Sequence, residues 1–338
     1  MKARIILWGT LACLLVASAW LVQRRIATTR ANAGPSRVTG RVAEDAGRTA
    51  QRAAQPAPAA PKGEPELVKL TAGQSGTAYG NMTSALRPIV DAKADFSQRS
   101  AALAGLTRTI GSHDLRGLYT FLQEHDADDE TMRGEAFKNE LMDELTRLDS
   151  PGLAAVLTGV YQDESQNFVL RDYALQHLIE QLQLKLAKGQ LADGDVERVR
   201  KLLWRAVKEK EHSIGGTALL GLSRLSDTVL KSDRAAVSAL AAQYATDNAS
   251  GELTRLTAVQ VCARMESPEA QAAILTMARS GETIPLQISA IGALGSYPTP
   301  EVRAYLAQTV AGGNPVLQAA AKQAAHRIKI LDKQNAAR

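Results

Sequence analysis

The chain has 338 residues, of which 45% are hydrophobic and 4% aromatic, so it is long enough for one extended domain or two compact ones. Aromatic and β-branched residues favour sheets, whereas Ala, Leu, Gln, Lys and Glu favour helices, so this composition indicates an all-α protein and argues against a β-rich one. The net charge of +5 arises in the N-terminal arm: residues 1–62 carry ten Lys or Arg against two acids, and residues 63–338 carry thirty against thirty-three. The remainder of the chain is therefore mildly acidic, and we expect no nucleic-acid partner.

Residues 5–22 form an apolar run behind a basic start, and two interpretations of this run are open. A signal peptide would use residues 5–16 as its apolar region, with Ala17 and Ala19 as the small residues of a cleavage motif. A membrane anchor would use all 18 residues, and the run does continue past Ala19 to residue 22, which favours an uncleaved anchor. In both interpretations the rest of a bacterial-type chain is exported. An anchor would hold it in the inner membrane with its C-terminal part in the periplasm, and cleavage would release it.

Residues 23–66 are rich in Ala, Pro, Gly, Arg and Thr and show no sustained apolar period. Such a segment cannot bury enough apolar surface to offset the entropy of ordering it, so we predict a disordered linker. Its positive charge suits either a solvated linker or contact with anionic lipid or nucleic acid.

From residue 98 onward, apolar residues recur with helical period and are separated by short loops. The predicted helices are 98–109, 113–125, 135–148, 152–162, 168–187, 193–211, 214–225, 233–245, 252–265, 269–280, 285–295, 301–311 and 316–332. Four helix starts are predicted from a capping residue followed by proline: Ser150-Pro151, Ser267-Pro268, Thr299-Pro300 and Asn314-Pro315. Three glycines are predicted to end helices in a left-handed conformation: Gly281, Gly295 and Gly312.

The C-terminal third repeats itself. The stretch "AVQVCARMESPEAQAAILTMARSG", which begins at residue 258, aligns after a shift of 32 with "AIGALGSYPTPEVRAYLAQTVAGG", which begins at residue 290. A further shift of 31 places "LQISAIGAL" over "LQAAAKQAA". Helix pairs that recur every 30–45 residues are typical of an α-solenoid, in which each pair buries its apolar face against the next.

At these residues the sequence resembles the HEAT-repeat family. The second-helix pattern of apolar and small residues is Ile288, Ala290, Ile291, Ala293, Leu294 and Gly295, and the turn of Asn with Pro is Asn314-Pro315. The usual Val-Arg opening of that helix is replaced by Leu286-Gln287 and by Leu317-Gln318. The resemblance is closest over 251–330 and weaker over 165–250. It implies a right-handed α-solenoid of stacked antiparallel helix pairs over residues 67–335, and a scaffold or binding surface, since the family is mostly non-enzymatic.

The sequence contains no constellation that predicts catalysis, a cofactor or a metal site. The five histidines are scattered, and none lies at the spacing of a zinc site. Cys262 lies in an apolar helical pattern, so we interpret it as a buried small hydrophobe. The acidic stretch "EHDADDE" at 124–130 lacks the glycine and the final glutamate of a calcium loop and is interpreted as a loop between helices.

The stretch "VERVRKLLWRAVKEKEH" at 196–212 could lie on a membrane or hold a partner, because it is basic and amphipathic. The alternative is a repeat helix with a charged outer face. Its buried residues would then be Val196, Val199, Leu203, Trp204 and Val207.

Three functions remain open from the sequence. The first is an exported or membrane-tethered scaffold that binds another protein in the cell envelope and needs no cofactor or small-molecule substrate. The second is an enzyme whose site is assembled from distant residues around His113 to Glu130. The third is a purely structural spacer, whose surface would lack any sizeable apolar or single-sign patch.

Overall fold

The computed structural model describes residues 79–91, 93–107, 110–125, 133–192, 194–280 and 283–337, which all belong to one compact unit. The regular structure of these residues is helical and contains no β-strand, so the all-α prediction is confirmed. The predicted N-terminal hydrophobic segment of residues 1–22 and the linker of residues 23–66 lie outside the described residues.

The helices follow one another with short connections, and we number them in chain order. They are α1 (Arg87–Val90), α2 (Phe96–Ala104), α3 (Ser112–Gln123), α4 (Arg133–Arg147), α5 (Leu153–Gln162), α6 (Phe168–Lys188), α7 (Asp195–Ala206), α8 (Ser213–Ser226), α9 (Arg234–Thr246), α10 (Glu252–Met265), α11 (Pro268–Ser280), α12 (Ile284–Leu294), α13 (Pro300–Ala311) and α14 (Pro315–Ala336). A single 3₁₀ turn, Lys231–Asp233, precedes α9.

Neighbouring helices pair and then pack in series. Each odd-numbered helix from α5 to α13 contacts the even-numbered helix that follows it. The even-numbered helices also form a continuous row, because α4 contacts α6, α6 contacts α8, α8 contacts α10, α10 contacts α12, and α12 contacts α14. Among the odd-numbered helices, α3 contacts α5 and α9 contacts α11. Contacts therefore run from each helix pair to its neighbour along the chain.

Side-chain caps fix where several helices begin. Asn314 accepts the backbone N–H groups of residues 316 and 317, and Thr299 accepts the N–H of residue 302, each with a proline at the next position. Both starts were predicted. Asp95 and Gln98 form a reciprocal capping box at the start of α2.

The predicted start at Ser150-Pro151 is wrong, because α5 begins at Leu153 after Gly152, which has φ of 79°. The predicted left-handed ends at Gly295 and Gly312 are also wrong, since φ is −59° and −72° there. Gly281 lies outside the described residues.

The small residues of the repeat bring helices close together. Ala258, Ala290, Ala321 and Ala324 are buried in the core, as expected for helix contact positions. A Cβ at Gly295 would lie 3.2 Å from the Cα of Ala324 on α14 and 3.1 Å from the Gly292 carbonyl oxygen. Glycine at residue 295 therefore favours the close approach of α12 and α14, and it does not form a left-handed turn.

Candidate interaction surface

The even-numbered helices from α6 to α14 begin side by side. The N-cap Thr283 of α12 donates its hydroxyl to the Glu252 carboxylate at the start of α10, at 2.6 Å. The Thr254 hydroxyl of α10 donates to the carbonyl oxygen of His212, the N-cap of α8, at 2.5 Å. These contacts join the starts of α8, α10 and α12, so these three helices run in the same direction.

Exposed apolar side chains occupy the first or second position of these same helices. Phe168 on α6 is 40% exposed, Leu253 on α10 is 44%, Ile284 on α12 is 46% and Val316 on α14 is 53%. At the corresponding place on α8, the His212 ring stacks on Phe168, with ring centroids 4.6 Å apart. We call Phe168, His212, Leu253, Ile284 and Val316 the apolar edge. Packed helices lie about 8–10 Å apart, so the four intervals between five helices span about 32–40 Å.

The register of the apolar edge distinguishes it from a scatter of exposed residues. Single exposed apolar side chains are normal on protein surfaces, whereas contiguous apolar areas rimmed by polar groups are typical of interaction sites. Four helices place an exposed apolar residue at their first or second position, and the loops that precede these helices are polar in sequence. This surface can receive a partner segment that presents several apolar side chains in succession.

The loops behind the apolar edge are held by ion pairs and hydrogen bonds. The Lys210 ammonium pairs with the Asp247 carboxylate at 2.5 Å, and together with the Ala249 N–H it lowers the pKa of Asp247 to about 2. The Tyr161 hydroxyl donates to Glu209 at 2.8 Å, and Arg171 pairs with the same carboxylate at 2.9 Å. These contacts give the edge a fixed backbone, which lowers the entropic cost of binding.

Asp172 on α6 accepts a hydrogen bond from Ser213 at the start of α8, at 2.6 Å, and it is 6% exposed. Burial raises the pKa of Asp172, and the Ser213 hydroxyl opposes this only in part. The folded chain therefore holds this proton more tightly than the unfolded chain, so wild-type stability should fall as pH rises from about 4 through the raised pKa.

We expect Asp172→Asn, which keeps an acceptor for Ser213 but carries no charge, to raise the melting temperature at pH 7 by a few degrees. The gain should shrink as the pH approaches 4. Thermal unfolding followed by circular dichroism from pH 4 to 8 measures this, and an identical difference at every pH would contradict it.

The basic face of α7 forms an open groove of about 400 Å³ around Trp204. The Arg200 guanidinium pairs with Asp233 at 2.7 Å, and Arg205 pairs with Glu164 at 3.4 Å. On the same stretch Val199, Leu203 and Val207 are buried, and Val196 and Trp204 are partly buried against the core. These contacts favour the repeat-helix interpretation of α7 over a helix that lies on a membrane or holds a partner.

His125, Asp163 and Ser165 meet at the surface but do not form an activated nucleophile. The Nε2 atom of His125 lies 2.7 Å from the Ser165 hydroxyl and 3.3 Å from Asp163, while the same hydroxyl donates to Asp163 at 2.5 Å. In a catalytic triad the carboxylate orients the histidine through its other ring nitrogen. Burial alone would raise the pKa of Asp163, but hydrogen bonds from Ser165 hold it below its usual range.

The remaining residues singled out from the sequence have these positions. Ala17 and Ala19 lie outside the described residues, as do residues 126–132 of the acidic stretch. His113 is exposed at the start of α3. Cys262 is fully buried, and burial raises the pKa of its thiol to about 12, in agreement with its interpretation as a small hydrophobe.

Sequence reasoning missed the apolar edge, although Phe168, Leu253 and Val316 were within predicted helices, and His212 and Ile284 each lay one residue outside one. The available signal was the recurrence of an apolar residue at 253, 284 and 316, close to the start of three predicted helices, at intervals of 31 and 32 that match the repeat. The position of a residue in the repeat does not by itself reveal whether its side chain is exposed, because exposure depends on how the next helix packs.

None of the helices formed by the described residues is long and apolar enough to cross a membrane. No protein-family model matches the chain, and no curated protein matches it. Among solved structures, human deoxyhypusine hydroxylase in complex with glycerol matches 76% of this chain and 98% of its own, with 15% identity and a TM-score of 0.31. A similarity at that level carries no argument about the fold or function of this chain.

Proposed function

We propose that the chain is a membrane-tethered, right-handed HEAT-like α-solenoid that binds another protein in the cell envelope along the apolar edge. The single observation that carries the binding proposal is the recurrence of exposed apolar residues at the first or second position of α6, α10, α12 and α14. A spacer would have no reason to keep an apolar residue exposed at each of these starts.

The solenoid proposal is supported by the repeat in the sequence and by the serial packing of the even-numbered helices from α4 to α14. Each helix pair in such an array buries its apolar face only against its neighbours, so the array presents long edges. Extended binding surfaces of this kind are how repeat proteins recognise partners.

The tether proposal is supported by the sequence of the N-terminal arm. Residues 5–22 are long enough for one membrane span, and residues 23–66 have the composition of a flexible spacer. About 40 flexible residues have a root-mean-square end-to-end distance of about 35 Å, which lets the helical domain search the space near the membrane. We propose the periplasmic face of the inner membrane as its location.

Site-specific photocrosslinking of the full-length chain in cells tests the binding proposal. A photoreactive amino acid at position 168 or 284 should give the same crosslinked partner, and one at the exposed Gln308 on α13 should not. In the background of Val316→Ser with Leu253→Ser, the yield of that adduct should fall at least about tenfold, because central apolar contacts dominate interface energies.

Equal adducts at positions 284 and 308, or an adduct unaffected by the double variant, would contradict binding along the apolar edge. Circular dichroism of the double variant should match that of the wild type, because both residues are already exposed. A difference between the two spectra would mean that the lower adduct yield comes from misfolding of the double variant.

Membrane fractionation tests the tether separately. The full chain should sediment with membranes, and a chain that lacks residues 2–22 should not. Sequencing of the mature N-terminus then decides between an anchor, which begins at Met1, and cleavage after Ala19.

A further inference from the structure

Three potential metal ligands converge on the seam between α4 and α6, away from the apolar edge. They are Asp143 on α4 and His177 and Glu180 on α6, and one ligand atom from each lies within 4.8 Å of the others. Asp143 and Glu180 are exposed, whereas His177 is buried. The group therefore lies at the surface and has a buried imidazole behind two accessible carboxylates.

Helix geometry explains why these side chains meet. His177 and Glu180 are three residues apart, and Asn139 and Asp143 are four apart, so each pair shares one face of its helix. Because α4 and α6 are packed neighbours, the two faces meet at the seam. The ligands thus come from segments more than 30 residues apart.

A hydrogen bond determines which ring nitrogen of His177 carries the hydrogen. Nε2 lies 2.9 Å from the Asn139 side-chain oxygen, which can only accept, so Nε2 carries the hydrogen. The lone pair is then on Nδ1. Histidine ligands of metals characteristically donate their second ring nitrogen to an oxygen in this way.

The Nδ1 atom of His177 is buried and has no hydrogen-bond partner. It lies 3.8 Å from a Glu180 carboxylate oxygen, too far for a hydrogen bond. His177 is 7% exposed, so water does not solvate the ring freely. A cation at that point would satisfy this buried lone pair and the carboxylate oxygens that face it.

We propose that Asp143, His177 and Glu180 bind a divalent transition-metal ion, with Zn²⁺ as the best match. One imidazole nitrogen and two carboxylate oxygens are a ligand set that zinc accepts, and three protein ligands leave a fourth position for water. Zinc bonds of about 2.0–2.2 Å place tetrahedral ligand atoms about 3.4 Å apart, so the carboxylates must move inward by about 1 Å. Both are exposed and can do so by rotation of their side chains.

A bound ion would join α4 to α6 across the seam. Arg224 on α8 lies close enough to Glu180 to interact with it electrostatically and competes with the ion for that carboxylate. The site is therefore predicted to bind more tightly when this positive charge is removed.

Calorimetric titration of the chelator-treated, full-length chain with zinc chloride tests the proposal. We expect one saturable site in the wild type, binding at least about tenfold weaker in Asp143→Asn/Glu180→Gln, and tighter binding in Arg224→Gln. Mg²⁺, which prefers oxygen ligands and retains its water, should not saturate this site. The control Glu211→Gln also removes an exposed carboxylate, but on the loop between α7 and α8, and should bind as the wild type does.

Because the exchanged carboxylates are exposed, their amide variants should fold, and their circular dichroism spectra check this. No saturable zinc binding by the wild type would overturn the proposal. So would equal affinity of the wild type and Asp143→Asn/Glu180→Gln, since the zinc would then be held elsewhere.

Discussion

Replacement of Asp233 by alanine is expected to lower the free energy of unfolding by about 2 kcal/mol. Asp233 is 6% exposed and lies in the 3₁₀ turn before α9. It accepts two hydrogen bonds from Arg200, at 2.7 and 3.0 Å, and one from the Trp204 indole nitrogen at 3.0 Å. The Arg200 guanidinium lowers the pKa of Asp233. Alanine would leave the indole N–H without its acceptor and the guanidinium with only the Glu197 carboxylate, at 3.5 Å.

A second arginine–aspartate pair supplies a matched control. Arg303 binds Asp332 through two hydrogen bonds, at 3.0 and 2.7 Å, but both side chains are nearly half exposed. Exposed pairs contribute little because water screens them, so Asp332→Ala should leave the urea midpoint unchanged. Equal shifts of the urea midpoint in Asp233→Ala and Asp332→Ala would show that burial does not determine how much each ion pair contributes to stability.

Helix content and helix order could be predicted from the sequence because they depend on local patterns. Thr299-Pro300 and Asn314-Pro315 begin helices because a capping oxygen and a fixed proline φ act within one turn. Ser150-Pro151 has the same pattern but does not begin a helix, and the reason lies in the backbone around it. Asp149 is left-handed, with φ of 56°, and the N–H of Ser150 donates to the Leu145 carbonyl at 3.1 Å. Ser150 thereby closes the end of α4, and the left-handed Gly152 becomes the N-cap of α5 instead.

The C-terminus of α7 shows tertiary contacts overriding local propensity. The predicted helix of residues 193–211 ends at Ala206, although the following residues are good helix formers. Residues 209 and 210 instead bind Tyr161 and Asp247 from neighbouring repeats. Neither contact is visible from sequence, because the partners lie 48 and 37 residues away.

The two candidate sites also differ in how far the sequence predicts them. The apolar edge recurs with the repeat, so its spacing was present in the sequence even though its exposure was not. The cluster of Asp143, His177 and Glu180 joins two helices and has no local motif. It depends on which faces of α4 and α6 meet, which only the packing determines.

The close contact of α10 with the loop before α8 leads to the second prediction. Gly251, the N-cap of α10, donates its N–H to the Lys210 carbonyl at 2.8 Å. Its φ of −60° and ψ of 151° are accessible to any residue, so the backbone conformation does not require glycine. A Cβ at this position would lie 2.1 Å from the Glu211 carbonyl oxygen and 2.8 Å from the carbonyl carbon. These are backbone atoms, which cannot turn aside as the end of a side chain can.

We therefore expect Gly251→Ala to lower the free energy of unfolding by about 3 kcal/mol, at the upper end of the usual cost of overpacking. Urea unfolding measures the loss, and faster amide exchange at the starts of α8 and α10 should place it there. Gly292→Ala is the control, since Gly292 lies exposed inside α12 and a methyl group there would have no neighbouring atom within 4 Å. That change should raise stability by about 0.5–1 kcal/mol, because alanine favours helix interiors. Changes of the same sign in both variants would contradict the steric explanation, because only residue 251 faces the backbone of the neighbouring loop.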